Sequence, residues 1–332
     1  MNKPFPAASA AGLAVAGLLL AAAMLGSLWL GSRSLSPGAV WQALVRPDDS
    51  YAALVVASRM PRTLLALLTG AALAVAGALI QALTRNPLAE PGLLGVNAGA
   101  AASIVTVALA LGGLPAHPFW AALPGALAAA VAVYLIGGGG RGLQPVRLIL
   151  AGAAVNAVLF AYVQAVALLR ADIFDAYRFW AVGSLAGHSL ASAARAAPYI
   201  GAGLLLALTL ARPLNILALG QTLARALGVR AGWYRMLGLA AVATLAAAST
   251  AAAGPIAFVG LAVPYVARRL GGPDLRWQLG YCLLLGPLLI LTADILARLI
   301  RAPAELLTGV VVAFLGAPFL LAALRRQPGG PA

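Results

Sequence analysis

The residue types that could perform chemistry are scarce in this sequence. Its 332 residues include 22 basic and 8 acidic side chains, and Lys3 is the only lysine. A GxxxxGK[ST] phosphate-binding loop requires a lysine, so this chain contains no such loop and we expect it to hydrolyse no ATP by itself. A match to GxGxxG at 137–142 follows an apolar segment, and the first acid after it is Asp172. We interpret this match as a flexible turn rather than a dinucleotide site.

Nucleophiles and metal ligands are equally few. His117 and His188 are the only histidines and stand far apart in the sequence, and Cys282 is the only cysteine. One cysteine forms no disulfide within the chain, and its apolar setting favours a buried thiol. Zinc sites need three or four clustered ligands, which this pattern does not offer. We therefore expect no catalytic residues, no metal and no cofactor bound by this chain.

One acid, Asp294, stands well inside a long apolar segment. A charge at that depth is costly and normally has a partner. Arg298 follows at the i, i+4 spacing that brings two side chains together on a helix, so we predict a structural ion pair. The alternative interpretation is a proton relay through Asp294.

The composition is that of a membrane protein. Hydrophobic residues make up 63% of the chain, charged residues 9%, and mean hydropathy is +0.97. These values lie far outside the usage of soluble globular proteins. The net charge of +14 is spread in ones and twos between apolar runs, which argues against nucleic-acid binding.

The apolar runs predict an all-α polytopic protein with about ten transmembrane helices in a single domain, 1–332. The segment 63–84 carries no formal charge, and 22 residues at about 1.5 Å each cover the roughly 30 Å hydrocarbon layer. Gly70 and Gly77 share one face of this helix with Ala66 and Ala74, which favours close packing against another helix. The other predicted spans are 10–30, two helices within 91–140, 148–169, 198–210, two pieces within 236–267 divided at Gly254-Pro255 and ended by Pro264, 277–297 and 306–324.

Two longer connections interrupt the spans. The segment 170–195 contains aromatic residues that suit a short interfacial helix, and 211–235 is a basic loop. The positive-inside rule, applied to a count of 13 basic residues against 9, places the basic loop and both termini in the cytoplasm. The segment 170–195 then faces outward.

A long set of motifs carries a family resemblance. They are R-x-P-R-T at 59–63, G-A-A-L-A-x-x-G at 70–77, Q-x-L-x-R-N-P-L-A-x-P-G-x-L-G-V at 81–96 and G-P-I-A-F-V-G-L at 254–261. This pattern resembles the FecCD/BtuC type of permease subunit of bacterial ATP-binding-cassette (ABC) importers, and it extends over nearly the whole chain. The resemblance implies a type II importer permease in the inner membrane. Its cargo would be an iron chelate, most closely a ferric siderophore, with haem or cobalamin as alternatives.

The resemblance also implies partners. These are two ATPase subunits, which would bind the ATP and Mg²⁺, a periplasmic substrate-binding protein, and a second copy of the permease or a homologous permease. The competing class is an ion-coupled secondary transporter, which usually places acids or discontinuous helices at mid-membrane. Gly254-Pro255 offers such a break, but Asp294 has an arginine neighbour.

Two groups of residues match the family's docking sites. Arg59, Arg62 and Arg298 match outward-facing arginines that pair with glutamates of the binding protein; the alternative is that they are interfacial anchors. The segment matching the ATPase-coupling helix offers an apolar ridge, although it could be an ordinary basic loop. Its residues are Leu219, Gly220, Leu223, Arg225, Ala226, Leu227 and Gly228.

Polar residues within the predicted spans are candidates for the translocation path. They could instead satisfy one another between helices. They are Gln81, Asn86, Asn97, Ser103, Asn156 and Gln164.

Overall fold

A computed structural model describes residues 6–46, 49–113, 115, 117–138 and 145–325, and it confirms the all-α prediction. These residues form thirteen α-helices, one short 3₁₀ turn at Pro91–Leu94 and no strand. The helices are α1 Pro6–Trp29, α2 Pro37–Val45, α3 Tyr51–Thr84, α4 Val96–Leu111, α5 Pro118–Ile136, α6 Pro145–Leu169, α7 Ala171–Ala181, α8 Leu190–Ala218, α9 Gln221–Ala226, α10 Ala231–Ala253, α11 Val259–Gly271, α12 Leu275–Leu299 and α13 Thr308–Arg325.

Seven of the described helices are long and apolar enough to cross a membrane: α1, α3, α5, α6, α8, α10 and α12. Three further helices, α4, α11 and α13, bring the total to the ten expected, but all three are short. At 1.5 Å per residue, the 13 residues of α11 cover only about 20 Å, less than the hydrocarbon layer. The predicted number of spans therefore holds only if these short helices are counted.

The ten helices α1, α3–α6, α8 and α10–α13 alternate in direction along the chain only because the short helices α4 and α11 lie between long ones that run the same way. We call the end of the bundle at which α1 ends and α3 begins the upper end. The lower end is where α9 lies. Hydrogen bonds connect the helices at both ends. Near the lower end, the side chain of Arg85, which follows α3, donates to the carbonyl of Leu217 close to the end of α8. Near the upper end, the backbone N–H of Ser184, which precedes α8, donates to the carbonyl of Ala253 at the end of α10.

Helix α3 forms the centre of the bundle. In its most apolar stretch 83% of residues are buried, against 11% for α1 and 22% for α6. The small-residue face predicted from Gly70 and Gly77 is used against two helices. Gly70 lies against the backbone of Gly286 and Pro287 in α12, and Gly77 lies against Gly260 in α11. Lipid supplies no hydrophobic force between helices, so such close backbone approach is what holds α3 to its neighbours.

Three boundaries differ from the prediction. Helix α3 begins at Tyr51, where Ser50 Oγ accepts from the backbone N–H of Ala53 at 3.3 Å, and it continues through Pro61. Helix α8 spans Leu190–Ala218 instead of 198–210, so it continues through Pro198 and Pro213 into both of the predicted loops beside it. Pro264 does not end α11, which runs to Gly271. In each case tertiary packing maintains a helix across a proline that local preference would place at an end.

Two irregular segments meet inside the bundle. One is the stretch between α3 and α4, and the other is the predicted break at 254–258 between α10 and α11. Glu90 Oε1 accepts from the backbone N–H of Phe258 at 3.1 Å, and Phe258 has a left-handed backbone with φ of 67°. Irregular backbone at membrane depth is tolerated where protein surrounds it and its polar groups are satisfied.

The packing of α3 generates a stability prediction. Gly77→Ala should destabilise the protein by about 1–3 kcal/mol, because the new methyl group would overlap the carbonyl of Gly260. Unfolding can be followed in detergent with a thiol-reactive dye, since the lone Cys282 is fully buried until the bundle opens.

Gly201→Ala is the matched control, because Gly201 lies inside α8 with open space where the methyl group would go. That variant should melt at or above the wild-type temperature, since alanine favours the helix. Equal melting temperatures for Gly77→Ala and the wild type would contradict the close-packing account.

Candidate functional site

A buried charge cluster closes the upper end of the bundle. Asp294 of α12 is 1% exposed, and its Oδ1 accepts from Arg62 NH2 at 2.9 Å and from Thr308 Oγ1 at 3.1 Å. Arg298 forms the ion pair expected from sequence, with NH2 at 3.1 Å from Asp294 Oδ2. Arg62 also donates from NH1 to Glu305 Oε2 at 2.7 Å. One arginine of α3 therefore joins α12 to the segment that precedes α13.

The end of α1 supplies the remaining partners. Arg298 NH1 donates to the carbonyls of Ser27 at 2.9 Å and Leu30 at 3.0 Å. Arg59 NH1 donates to the carbonyls of Leu28 at 2.7 Å and Trp29 at 2.9 Å. The last carbonyls of a helix lack intrahelical donors and carry the negative end of its dipole, so these two guanidinium groups cap α1.

This geometry changes the interpretation of the three arginines. They were expected to face outward, but Arg59, Arg62 and Arg298 are 7%, 8% and 2% exposed. Their terminal nitrogens already bond to groups of this chain. To reach a glutamate of another protein, each would first give up internal bonds. Docking through these residues remains a prediction, and so does the proton-relay alternative for Asp294.

Sequence reasoning missed three members of this cluster. Ser27 accepts from Arg298 NH2 through Oγ at 3.1 Å, and Thr308 bonds to Asp294. Glu305, in the segment before α13, accepts from Arg62. In the sequence, only Ser27 could have been identified as a candidate, because it is a polar residue near the end of an apolar helix.

The coupling segment projects from the lower end. Helix α9 is only six residues long, so Leu219 and Leu227 lie just outside it. All three leucines are nevertheless exposed: Leu219 66%, Leu223 48% and Leu227 57%. Gly220 and Gly228 flank the helix with φ of 117° and 75°, values that L-residues rarely adopt. Arg225 and Ala226 are exposed beside the leucines.

The segment is tied to the bundle through α8. Asn215 Nδ2 donates to Asp274 Oδ1 at 2.6 Å, and Asn215 Oδ1 accepts from the backbone N–H of Leu275 at 2.9 Å. Arg85 NH2 donates to the carbonyl of Leu217 at 2.9 Å. The end of α8 is thus bonded to the start of α12 and to the end of α3.

Most candidate path residues are engaged locally. Gln81 donates to the carbonyl of Gly260 at 3.3 Å, Ser103 to that of Ala121 at 2.6 Å, and Asn156 to that of Gly92 at 3.5 Å. Asn86 Oδ1 accepts from the backbone N–H of Leu88 at 2.9 Å, and Gln164 is exposed on α6.

Asn97 is the candidate that lines a described cavity. This space, which we call the central-face cavity, has a volume of about 450 Å³ between α4, α6, α7 and the break after α10. Tyr177, Trp180 and Pro255 form part of its wall. Asn97 Oδ1 accepts from Thr250 Oγ1 at 2.9 Å, and no hydrogen bond of its amide nitrogen is found within the described part of the chain.

The charge cluster generates a second stability prediction. Arg62→Met should lower stability by about 3–5 kcal/mol, because it leaves Asp294 and Glu305 without their shared cation. The loss would be measured by thiol-dye unfolding at Cys282 in detergent.

Arg178→Met is the control, since Arg178 and Asp175 form an exposed pair at 3.4 Å on α7. Exposed pairs contribute about 0–1 kcal/mol, so this variant should melt near the wild-type temperature. Similar melting of the two variants would show that the Arg62 contacts do not hold the helices together.

Comparisons with known proteins agree with this architecture. The model of the FecCD transport family matches residues 18–326. The chain is 48% identical over 282 residues to the ferric enterobactin transport system permease protein of Escherichia coli, covering 84% of each chain. It is 39% identical over 296 residues to the vitamin B12 import system permease protein of Citrobacter koseri, covering 87% of this chain and 88% of that one.

A solved structure shares the fold. It is described as an inward-facing conformation of a metal-chelate type ABC transporter, and it superposes with a TM-score of 0.83 at 27% identity over 96% of this chain and all of the other. The family model covers most of the sequence, and the identities to both relatives extend over most of their length. The chain therefore belongs to the FecCD transport family.

Proposed function

We propose that this chain is the membrane permease subunit of an ABC importer that carries an iron chelate, most specifically a ferric siderophore, into the cytoplasm. The observation that carries the proposal is the 48% identity to a ferric enterobactin permease, which exceeds the 39% identity to a vitamin B12 permease. The likeness to a metal-chelate type transporter supports the same class of cargo. Haem or cobalamin would use the same machinery.

Hydrolysis of ATP belongs to separate subunits in this proposal. The chain has one lysine, near its start, and no phosphate-binding loop. The exposed leucines around α9 suit a short helix that inserts into a groove on each of two ATPase subunits. Arg225 can pair with acidic groups at the rim of that groove.

The remaining partners follow from the two ends of the bundle. The lower end carries most of the basic loop residues, so the positive-inside rule places it and both termini in the cytoplasm of a bacterial inner membrane. The upper end would then receive a periplasmic binding protein. A second permease, either a copy of this chain or a homologue, would complete the pathway. Its opening would alternate between the two sides.

Uptake measurements in proteoliposomes test the function. The vesicles would hold this chain with its ATPase and binding protein, with ATP inside or absent, and labelled ferric siderophore outside. ATP-dependent uptake is expected. Uptake driven by a proton gradient without ATP would instead identify a secondary transporter, while ATP-driven uptake of haem or cobalamin alone would replace the cargo and leave the mechanism in place.

The coupling segment has its own test. Leu223→Asp should reduce co-purification of the ATPase and ATP-driven uptake by about tenfold or more, because a charge replaces the centre of the exposed apolar ridge.

Leu44→Asp is the matched control, since Leu44 is a similarly exposed leucine on α2 at the opposite end. That variant should keep its ATPase. Undiminished ATPase binding and transport in Leu223→Asp would eliminate the docking role of this segment.

A further inference from the structure

The two histidines, far apart in sequence, line one cavity at the upper end of the bundle. This space, which we call the histidine cavity, has a volume of about 370 Å³. His117 enters it from the residue before α5, His188 from the loop before α8, and Arg195 from the second turn of α8. Phe119 and Trp180 supply aromatic walls.

The polar groups of this cavity are incompletely used by the protein. Arg195 Nε donates to the carbonyl of Ala191 at 3.0 Å, and among the described residues its two terminal nitrogens have no hydrogen-bond partner. His188 Nε2 lies 3.2 Å from the carbonyl of Ser184, which leaves Nδ1 available. His117 is exposed and forms no side-chain cap on α5. Ser189 likewise forms no cap on α8.

No carboxylate offsets Arg195 within the described lining. The nearby helix α7 carries Asp172 and Asp175, but each already pairs with an arginine of its own segment. Asp294 and Glu305 are bonded within the charge cluster. The cavity therefore holds one permanent positive charge and two imidazoles without an acid of the chain to balance them.

His188 fits this role as a neutral partner. Burial lowers the pKa of its imidazole below the usual value near 6.5; the hydrogen bond to the carbonyl of Ser184 opposes this lowering in part, and the positive charge of Arg62 adds to it. At neutral pH the ring is therefore uncharged and presents a nitrogen that can donate or accept. The fixed charge comes from Arg195, whose planar guanidinium suits a carboxylate or phosphate group.

The size of the cavity limits the ligand. A water molecule occupies about 30 Å³ of liquid, so this volume corresponds to roughly a dozen waters. That is enough for a tricarboxylic acid or a lipid headgroup. We propose that the histidine cavity binds a small oxyanion group through Arg195 and His117, with His188 as a neutral hydrogen-bonding partner. Trp180 lines both the histidine cavity and the central-face cavity, so an anion bound in the first would lie next to the second.

Two sources could provide this oxyanion: a soluble polycarboxylate and the phosphate of an anionic membrane lipid. The full chain, purified in detergent, would be titrated with citrate at pH 7 and constant ionic strength in a calorimeter. A second arm would measure retained phosphatidylglycerol by native mass spectrometry. We expect either saturable binding of citrate or stoichiometric retention of phosphatidylglycerol. The ligand that binds identifies the source of the oxyanion.

Arg195→Gln should weaken that binding by about tenfold or more, because it removes the charge-assisted hydrogen bonds. His117→Gln should weaken it several-fold and should fold as the wild type does, because His117 is exposed. Arg178→Gln, an exposed cation of α7 outside the cavity, should bind as the wild type does.

Two results would overturn the proposal. One is that the wild type neither binds citrate saturably nor retains phosphatidylglycerol. The other is unchanged binding in both Arg195→Gln and His117→Gln. Gel filtration and thiol-dye melting verify the fold of each variant, and if Arg195→Gln misfolds, His117→Gln decides. The assay needs neither ATPase nor binding protein, so its outcome is independent of the transport function proposed above.

Discussion

Close backbone contact around α3 is the constraint on which the rest of the structure depends. Lipid tails are as apolar as leucine, so helices gain little by merely hiding hydrophobic side chains from them. Gly70 and Gly77 instead let α12 and α11 approach until backbone meets backbone. Once α3 is fixed there, its upper end brings Arg62 to Asp294 and Glu305, and its lower end brings Arg85 to the carbonyl of Leu217.

The charge cluster at the upper end has a clear physical logic. A buried arginine or aspartate alone would be strongly destabilising, but here each charge meets an opposite charge or the carbonyls at the end of α1. The cluster therefore joins five parts of the chain, namely α1, α3, α12, the segment before α13 and, through Thr308, the start of α13. At the lower end, neutral and charged hydrogen bonds join α8 to α3 and α12. In the proposed transport cycle, movement of α9 would reach the central helix through these bonds.

Much of the fold was predictable from the sequence, because hydropathy and helix length determine which segments can lie in a membrane. The small-residue face of α3 and the pairing of Asp294 with Arg298 follow from helical spacing alone. The direction in which the arginine side chains point could not be predicted from helical spacing. A guanidinium at the end of a span can reach water or the carbonyls of a neighbouring helix, and only the position where α1 stops decides between them. The meeting of His117 and His188 was equally hidden, since it depends on how α5 packs beside α8.

The hydrogen bond between Glu90 and Phe258 has a consequence for sequence variation. It joins two irregular stretches that are far apart along the chain, and each stretch relies on the other to satisfy polar groups away from water. The sequence of neither stretch can therefore change independently of the other. Across related permeases, a replacement of the acid at one position should be accompanied by a compensating change in the backbone of the other, so that the two breaks are inherited as one unit.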